Sequence, residues 1–107
     1  MGNVQFDRKR DRPPEATKTE PRRSFQKHYD KAISRVKRCN QPQSVQHLYG
    51  TLEDAVRHLE YCLEMRPGNN LLMLQHKICS EILAEMARTR RPPNHVIPLV
   101  LDPAWKG

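Results

Sequence analysis

The sequence predicts an all-α fold: a small three-helix domain built around an antiparallel helical hairpin. Apolar residues recur at helical spacing from Ser44 to Ala87. The pattern breaks once, at Pro67-Gly68-Asn69-Asn70, which is typical of a turn. A shorter amphipathic stretch after Ser24 adds the first helix. The sequence thus divides into a disordered basic arm over residues 1–24, a helical domain over 25–89 with helices at about 25–39, 44–66 and 70–89, and an extended tail over 90–107.

The part of the chain that can fold is small, which limits the hydrophobic core that it can form without a partner. Of 107 residues, 36% are hydrophobic and 29% are charged, and the ends are rich in proline and polar residues. About 65 residues remain for a core, which is close to the lower limit for an independent domain. We therefore expect a protein partner or a homodimer.

The net charge of +7 is concentrated in the first half of the chain. Residues 1–45 hold twelve Lys or Arg against five Asp or Glu, whereas residues 46–107 hold seven of each. This asymmetry suits a polyanionic partner, which would be nucleic acid, an acidic protein or an anionic membrane surface. The alternative is a solvated face that serves only solubility.

The arm and the cysteines indicate the compartment. Two basic clusters in the arm have the spacing of a two-part nuclear import signal. Three cysteines, none in a Cys-x-x-Cys pair, are typical of reduced thiols in an intracellular protein, and no apolar run is long enough to span a membrane. We expect an intracellular protein, nuclear rather than cytoplasmic. The two basic clusters of the arm are Arg8, Lys9 and Arg10, and Arg22 and Arg23.

Helix 1 follows Ser24, a candidate N-cap, and carries one apolar stripe from Phe25 to Val36. On a neighbouring face, cations recur at i, i+4, i+8 and i+11 and form a row about 16 Å long. Such a row predicts contacts with phosphates. The candidate nucleic-acid ligands are Lys27, Lys31, Arg35, Lys37 and Arg38, assisted by the arm clusters.

Helix 2 carries a heptad seam from Val45 to Cys62. Gly50 weakens its middle, and Thr51 with Asp54 forms a candidate capping box. The helix either runs unbroken from Ser44 or restarts at Thr51. Pro67 ends it, and Gly68 is available for a left-handed residue after the helix.

Helix 3 has two apolar stripes, so its face is wide enough for helix 2 and a further surface. The tail after it is apolar but interrupted by prolines, and it contains the only tryptophan. It docks either on its own domain or on a partner. The candidate partner-binding residues are Leu72, Cys79, Leu83 and Met86 on the helix, and Ile97, Leu99 and Trp105 on the tail.

No phosphate-cradling loop and no activated nucleophile is present in the sequence, so we expect no enzyme and no cofactor. One constellation has the ligand types of a zinc site: two His/Cys pairs at i, i+4 and i, i+3 on the two hairpin helices. Both cysteines also belong to apolar stripes, where a free cysteine is a small core residue. The expectation is no metal, with His58, Cys62, His76 and Cys79 as the candidates to be checked.

Residues 52–70 resemble the second helix and closing turn of a tetratricopeptide repeat, with Leu52, Ala55, Leu59, Cys62-Leu63 and Pro67 in the expected order. Helix 3 departs from the pattern at His76, Lys77 and Ser80. The resemblance implies a peptide-binding adaptor without enzymatic activity.

The sequence therefore predicts a non-enzymatic module that binds the phosphate backbone of duplex DNA or RNA through helix 1 and the arm, within a larger complex or as a dimer. The alternative is a protein-interaction adaptor that docks a partner on helix 3 or the tail.

Overall fold

The structure is a computed structural model that describes residues 21–105, with the side chains of residues 24–105. It contains three helices: α1 (Pro21–Cys39), α2 (Val45–Met65) and α3 (Asn70–Thr89). No strand occurs over residues 21–105, so the all-α prediction is confirmed. The predicted arm falls mostly outside the described residues.

Helix α1 begins at Pro21, four residues before the predicted start. Proline is favoured at the first helical position because its missing N–H would have no partner there and its φ is already helical. Ser24 therefore lies inside the helix and is not its N-cap. The last residues of the predicted arm belong to the domain.

Helix α2 is capped by Ser44, whose hydroxyl accepts a hydrogen bond from the His47 N–H at 3.2 Å. The helix runs unbroken through Gly50, so it does not restart at Thr51. Gly68 was available for a left-handed residue after the helix, but its φ lies outside the left-handed range of +20° to +160°. The helix instead ends at Arg66 (φ −135°, ψ 66°), whose helical conformation is disfavoured by the following proline.

Helix α3 is capped by Asn69, whose side chain accepts from the Leu72 N–H at 2.9 Å. It ends at Arg90, which has φ 61° and ψ 25° and donates its N–H to the Met86 carbonyl. Arg90 is the one non-glycine residue with positive φ in the described part of the chain. The chain direction changes at this residue.

Helix α2 lies in the middle, with α1 packed on one side and α3 on the other. Its seam residues Leu52, Ala55, Leu59 and Cys62 are fully buried. The other buried hydrophobic residues are Leu48, also on α2, and residues of α1, α3 and the tail. The heptad seam is therefore the centre of the core.

The tail completes this core in cis. Residues 97–105 lie between α1 and α3, with Ile97 and Leu101 only 1% and 3% exposed. Hydrogen bonds join the tail to Asn40 at the end of α1 and to Gln75 on α3. The sequence left open whether the tail docks on its own domain, and in this structure it does.

Candidate nucleic-acid interface

Three exposed cations share the outward face of α1. Lys27, Lys31 and Arg38 lie within about 40° of one another around the helix, since each residue advances by about 100°. All three are exposed, and none has a carboxylate within 4.0 Å in the described part of the chain. We call these three residues the cationic face. Its charge is available to an external anion.

Arg35 differs from the prediction because it does not join this face. It lies about 80° around the helix from Lys27, on the side of α2. Its Nε donates to Asp54 at 2.6 Å, and its side chain is 25% exposed. This hydrogen bond lowers the pKa of the Asp54 carboxyl, so the pair stays ionised. A carboxylate of its own domain already neutralises Arg35.

A shallow basin of about 400 Å³ lies between α1 and α2, beside the cationic face. Arg38 and Arg57 line it, but so do Glu53 and Asp54. Arg57 also lies 3.9 Å from Asp54. The mixed charge makes the basin a weaker anion site than the outer surface of α1.

Lys37 is exposed but lies about 80° from Lys27 on the opposite side, toward the tail. Arg8, Lys9 and Arg10 lie outside the described residues. Arg22 and Arg23 belong to α1 by their backbone, and their side chains are not described.

Two histidines meet between α1 and α2, a contact that the sequence analysis missed. The Nδ1 atoms of His28 and His58 lie 2.9 Å apart, and the rings are tilted by 31°. Burial lowers the pKa of both rings, and Lys27 and Lys31 lower that of His28 further. Both imidazoles are therefore favoured in their neutral form at the edge of the cationic face.

Most aromatic residues on α1 and α2 are shielded from solvent: Phe25 and Tyr29 are at most 1% exposed and Tyr49 is half-buried, whereas Tyr61 is 41% exposed. The Tyr61 ring packs on His28 with ring centroids 4.6 Å apart. Base stacking needs an open aromatic surface. The arrangement favours contacts with the phosphate backbone over contacts with single-stranded bases.

The groove between α1 and α3 holds the tail through two side-chain amides. Asn40 accepts from the Ile97 N–H at 2.8 Å and donates to the Ile97 carbonyl at 3.0 Å. Gln75, which is fully buried, accepts from the Val100 N–H at 2.7 Å and donates to the Pro98 carbonyl at 2.8 Å. The groove thus binds the extended backbone of the tail through hydrogen bonds, and we call it the tail groove.

Aromatic packing fixes the end of the tail. The Trp105 ring contacts the Phe25 and Tyr29 rings edge-on, with centroids 5.4 and 5.1 Å apart. The Tyr29 hydroxyl donates to the Asp102 carbonyl at 2.7 Å. Trp105 therefore belongs to the junction of the tail with α1.

The predicted partner-binding residues lie mostly inside the domain. Leu72, Cys79, Met86 and Ile97 are at most 2% exposed, so they leave no surface for a partner in this structure. They belong to the same hydrophobic core as buried residues of α1, α2 and the tail. Half-buried positions are occupied by Leu83, Leu99 and Trp105.

The four metal candidates do not converge. His58 faces His28, and His76 contacts Glu60 at 3.1 Å. Cys62 lies against the Phe25 carbonyl and Cys79 against Gln75. Over residues 21–105 no group of three or more His, Cys, Asp or Glu side chains is placed to hold a metal ion. Burial also raises the pKa of Cys62 to about 12, which keeps its thiol protonated.

The residues that bind the tail were not predicted from the sequence, although Gln75 gave a signal. It occupies a position between Leu72 and Cys79 on the apolar stripe of α3. A polar residue on a buried face needs a hydrogen-bond partner, and a backbone segment is the commonest one. Asn40 gave no comparable signal, since it lies in a loop.

No protein-family model, curated protein or solved structure matches the chain. The resemblance of residues 52–70 to a tetratricopeptide repeat therefore stays a prediction. No described helix has both the length and the apolarity needed to cross a membrane.

Proposed function

We propose that the chain binds the phosphate backbone of duplex nucleic acid through the cationic face of α1, without catalysing a reaction. The observation that carries the proposal is the absence of a nearby carboxylate for Lys27, Lys31 and Arg38 in the described part of the chain. Seven Lys or Arg and one Asp make α1 strongly basic overall. A polyanion would relieve the repulsion between these cations.

The dimensions of the cationic face suit a duplex. Lys27 and Arg38 are eleven residues apart, which is about 16 Å along the helix axis. Each strand of a duplex presents one phosphate per about 3.4 Å of axis, so this length covers about five phosphates. Contacts of this kind position a protein on a duplex and carry little sequence information.

The arm extends the same interaction. Arg8, Lys9 and Arg10 precede α1 and would follow the backbone beyond the duplex segment that α1 covers. Together with Arg22 and Arg23 they have the spacing of a two-part nuclear import signal, so we propose a nuclear location. An acidic protein segment is the competing partner for this charge.

The test is a binding titration of the full chain with labelled duplex DNA and duplex RNA, followed by fluorescence anisotropy. The variant replaces the cationic face: Lys27→Ala, Lys31→Ala and Arg38→Ala. Alanine favours the helix, so the fold should persist. Hydrogen bonds to charged groups contribute about 1.5–3 kcal/mol each, so we expect more than about tenfold weaker binding.

The matched control removes three exposed cations elsewhere: Lys77→Ala, Arg88→Ala and Arg91→Ala. It has the same net charge as the test variant. If the two variants weaken binding equally, net charge and not the cationic face is responsible, and the proposal fails. Equal affinity of the wild type and the test variant would also reject it.

A second function, a protein-interaction adaptor, is favoured by exposed apolar residues at the start of α3. Leu71, Met73 and Leu74 are 48%, 50% and 44% exposed. Leu71 also lines a pocket of about 300 Å³ with Leu101 and Trp105. Apolar residues grouped in this way are typical of a contact surface for another protein.

The adaptor function is tested with Leu71→Lys and Leu74→Lys in the full chain. Affinity purification from cells with nuclease treatment should recover protein partners with the wild type and lose them with this variant. Recovery of the same partners by both proteins would reject this surface.

A further inference from the structure

The connection between α3 and the tail reverses the chain through a strained residue. Arg90 adopts φ 61°, a left-handed conformation that costs a residue with a side chain about 1–2 kcal/mol. Residues 91–95 then run beside α3, where they line a groove with Ile78 and Ile82. The tail reaches its groove only through this connection, which we call the hinge (residues 90–96).

The tail groove recognises the tail by its backbone and its buried side chains. Asn40 and Gln75 each make two hydrogen bonds to the tail backbone, and Ile97 and Leu101 fill the space below. None of these contacts depends on the hinge. The same groove would accept the same nine residues from a second copy of the chain.

The direction of the tail favours this second source. Asn40, at the end of α1, contacts the start of the tail, whereas Trp105, at its end, contacts Phe25 near the start of α1. The tail therefore runs opposite to α1 and, since α2 returns between them, opposite to α3. In its own copy the tail must reverse after α3. If a second copy lies end to end with the first and is related to it by a two-fold axis, the tail can enter the tail groove of that copy without reversing its direction.

We propose that two copies exchange their tails, so that residues 97–105 of each fill the tail groove of the other. Straightening of the hinge removes the left-handed conformation of Arg90 in both copies. Short hinges under strain are the sites at which such exchange occurs. The exchanged dimer retains every contact of the groove and joins two cationic faces in one particle.

A variant with a shorter hinge can distinguish docking of the tail in its own copy from docking in a second copy. Gln75 and Thr89 are fourteen residues apart, about 21 Å along α3, and the tail must descend this distance to reach Gln75. Nine residue steps join Thr89 to Pro98 and span about 30 Å when extended. Deletion of residues 91–95 leaves four steps, about 13 Å, which is too short for docking in cis.

The experiment measures mass by light scattering after gel filtration of the full chain, refolded at millimolar and at micromolar concentration. The wild type should form a dimer at the higher concentration, and the variant lacking residues 91–95 should be dimeric at both. Arg90→Gly removes the strain of the closed hinge, which should lower the dimerisation constant about fivefold per hinge, or about twenty-fivefold per dimer. Arg91→Gly, one residue later and without positive φ, is the control and should behave as the wild type.

Trp105 fluorescence checks that the tail is docked in the dimer, because the ring should pack on Phe25 and Tyr29 in both forms and its emission should not change. A red-shifted emission in the dimer would mean that the tail is released and would overturn the proposal. A monomeric wild type at millimolar concentration overturns the proposal, whether or not the deletion variant folds. A dimer that Leu74→Lys abolishes and Arg90→Gly leaves unchanged also overturns it, since that dimer would use the exposed face of α3.

Discussion

His28 and His58 face each other across the α1–α2 interface with their Nδ1 atoms 2.9 Å apart. At this distance one nitrogen donates a proton and the other accepts it, so the contact needs at least one neutral ring. Asp54 approaches the other nitrogen of His58 at 3.8 Å, while Lys27, Lys31 and Arg35 add positive charge around the pair. The surroundings of the two rings therefore favour the neutral form of both histidines.

We predict that the free energy of unfolding decreases as the pH falls below about 6.5, the ordinary pKa of histidine. Burial lowers the pKa of both rings in the folded state. Below that pH the unfolded chain binds more protons than the folded one, so acid favours unfolding; above it both states are neutral and the effect disappears. Urea unfolding at several pH values between 5 and 7.5 measures this dependence.

The variant His58→Gln should show a smaller loss of stability over the same pH range. His95→Gln, which changes an exposed ring outside the α1–α2 interface, is the control and should keep the wild-type dependence. A pH dependence that is the same in all three proteins would show that the pair is not its source.

Gln75→Leu should lower the free energy of unfolding by about 1–3 kcal/mol, because it leaves the Pro98 carbonyl and the Val100 N–H without their partner. Thermal unfolding followed by circular dichroism measures the change. Lys77→Leu, exposed on the same helix, controls for the added leucine and should have little effect. An unchanged melting temperature for Gln75→Leu would mean that the tail is not held as described.

Gly50→Ala should raise the free energy of unfolding by about 1 kcal/mol, since Gly50 lies inside a continuous helix and a methyl group there meets no atom within 4 Å. Urea unfolding measures the gain. Gly68→Ala, outside the helix and also in open space, should gain less. A continuous α2 would be contradicted if Gly50→Ala did not stabilise the protein, or stabilised it no more than Gly68→Ala does.

Local signals predicted much of the fold. The start of α2 near Ser44 was predicted because the apolar repeat resumes there, and the turn before α3 because Pro67-Gly68-Asn69-Asn70 interrupts the repeat. The heptad seam of α2 was recognised because its spacing defines one face. The start of α1 was placed too late, since Ser24 gave the stronger cap signal and Pro21 was read as part of the arm.

Relations between distant residues were not predictable in this way. Arg35 has the spacing of the cationic row, and only the packing of α1 on α2 brings it to Asp54. The same holds for Gln75 and Val100, which are 25 residues apart. Spacing along one helix indicates which residues share a face, but not what that face contacts.

The pairing of Arg35 with Asp54 leads to a prediction about binding. Asp54→Asn should free Arg35 for a phosphate and strengthen duplex binding several-fold, with one additional counterion released. Glu64→Gln, an exposed residue of the same helix, makes the same change in net charge and should strengthen binding less. Anisotropy titrations of both variants measure the difference, and equal gains would mean that net charge alone acts.

The salt dependence of duplex binding tests the cationic face most directly. Each phosphate contact contributes about 0.9 to the slope of the logarithm of the association constant against the logarithm of the salt concentration, so replacing Lys27, Lys31 and Arg38 by alanine should reduce the slope by about 2.7. The measurement compares the wild type and this variant over the same salt range. A slope that falls by this amount supports direct contact of all three cations with phosphates. Equal slopes for the two proteins would contradict it.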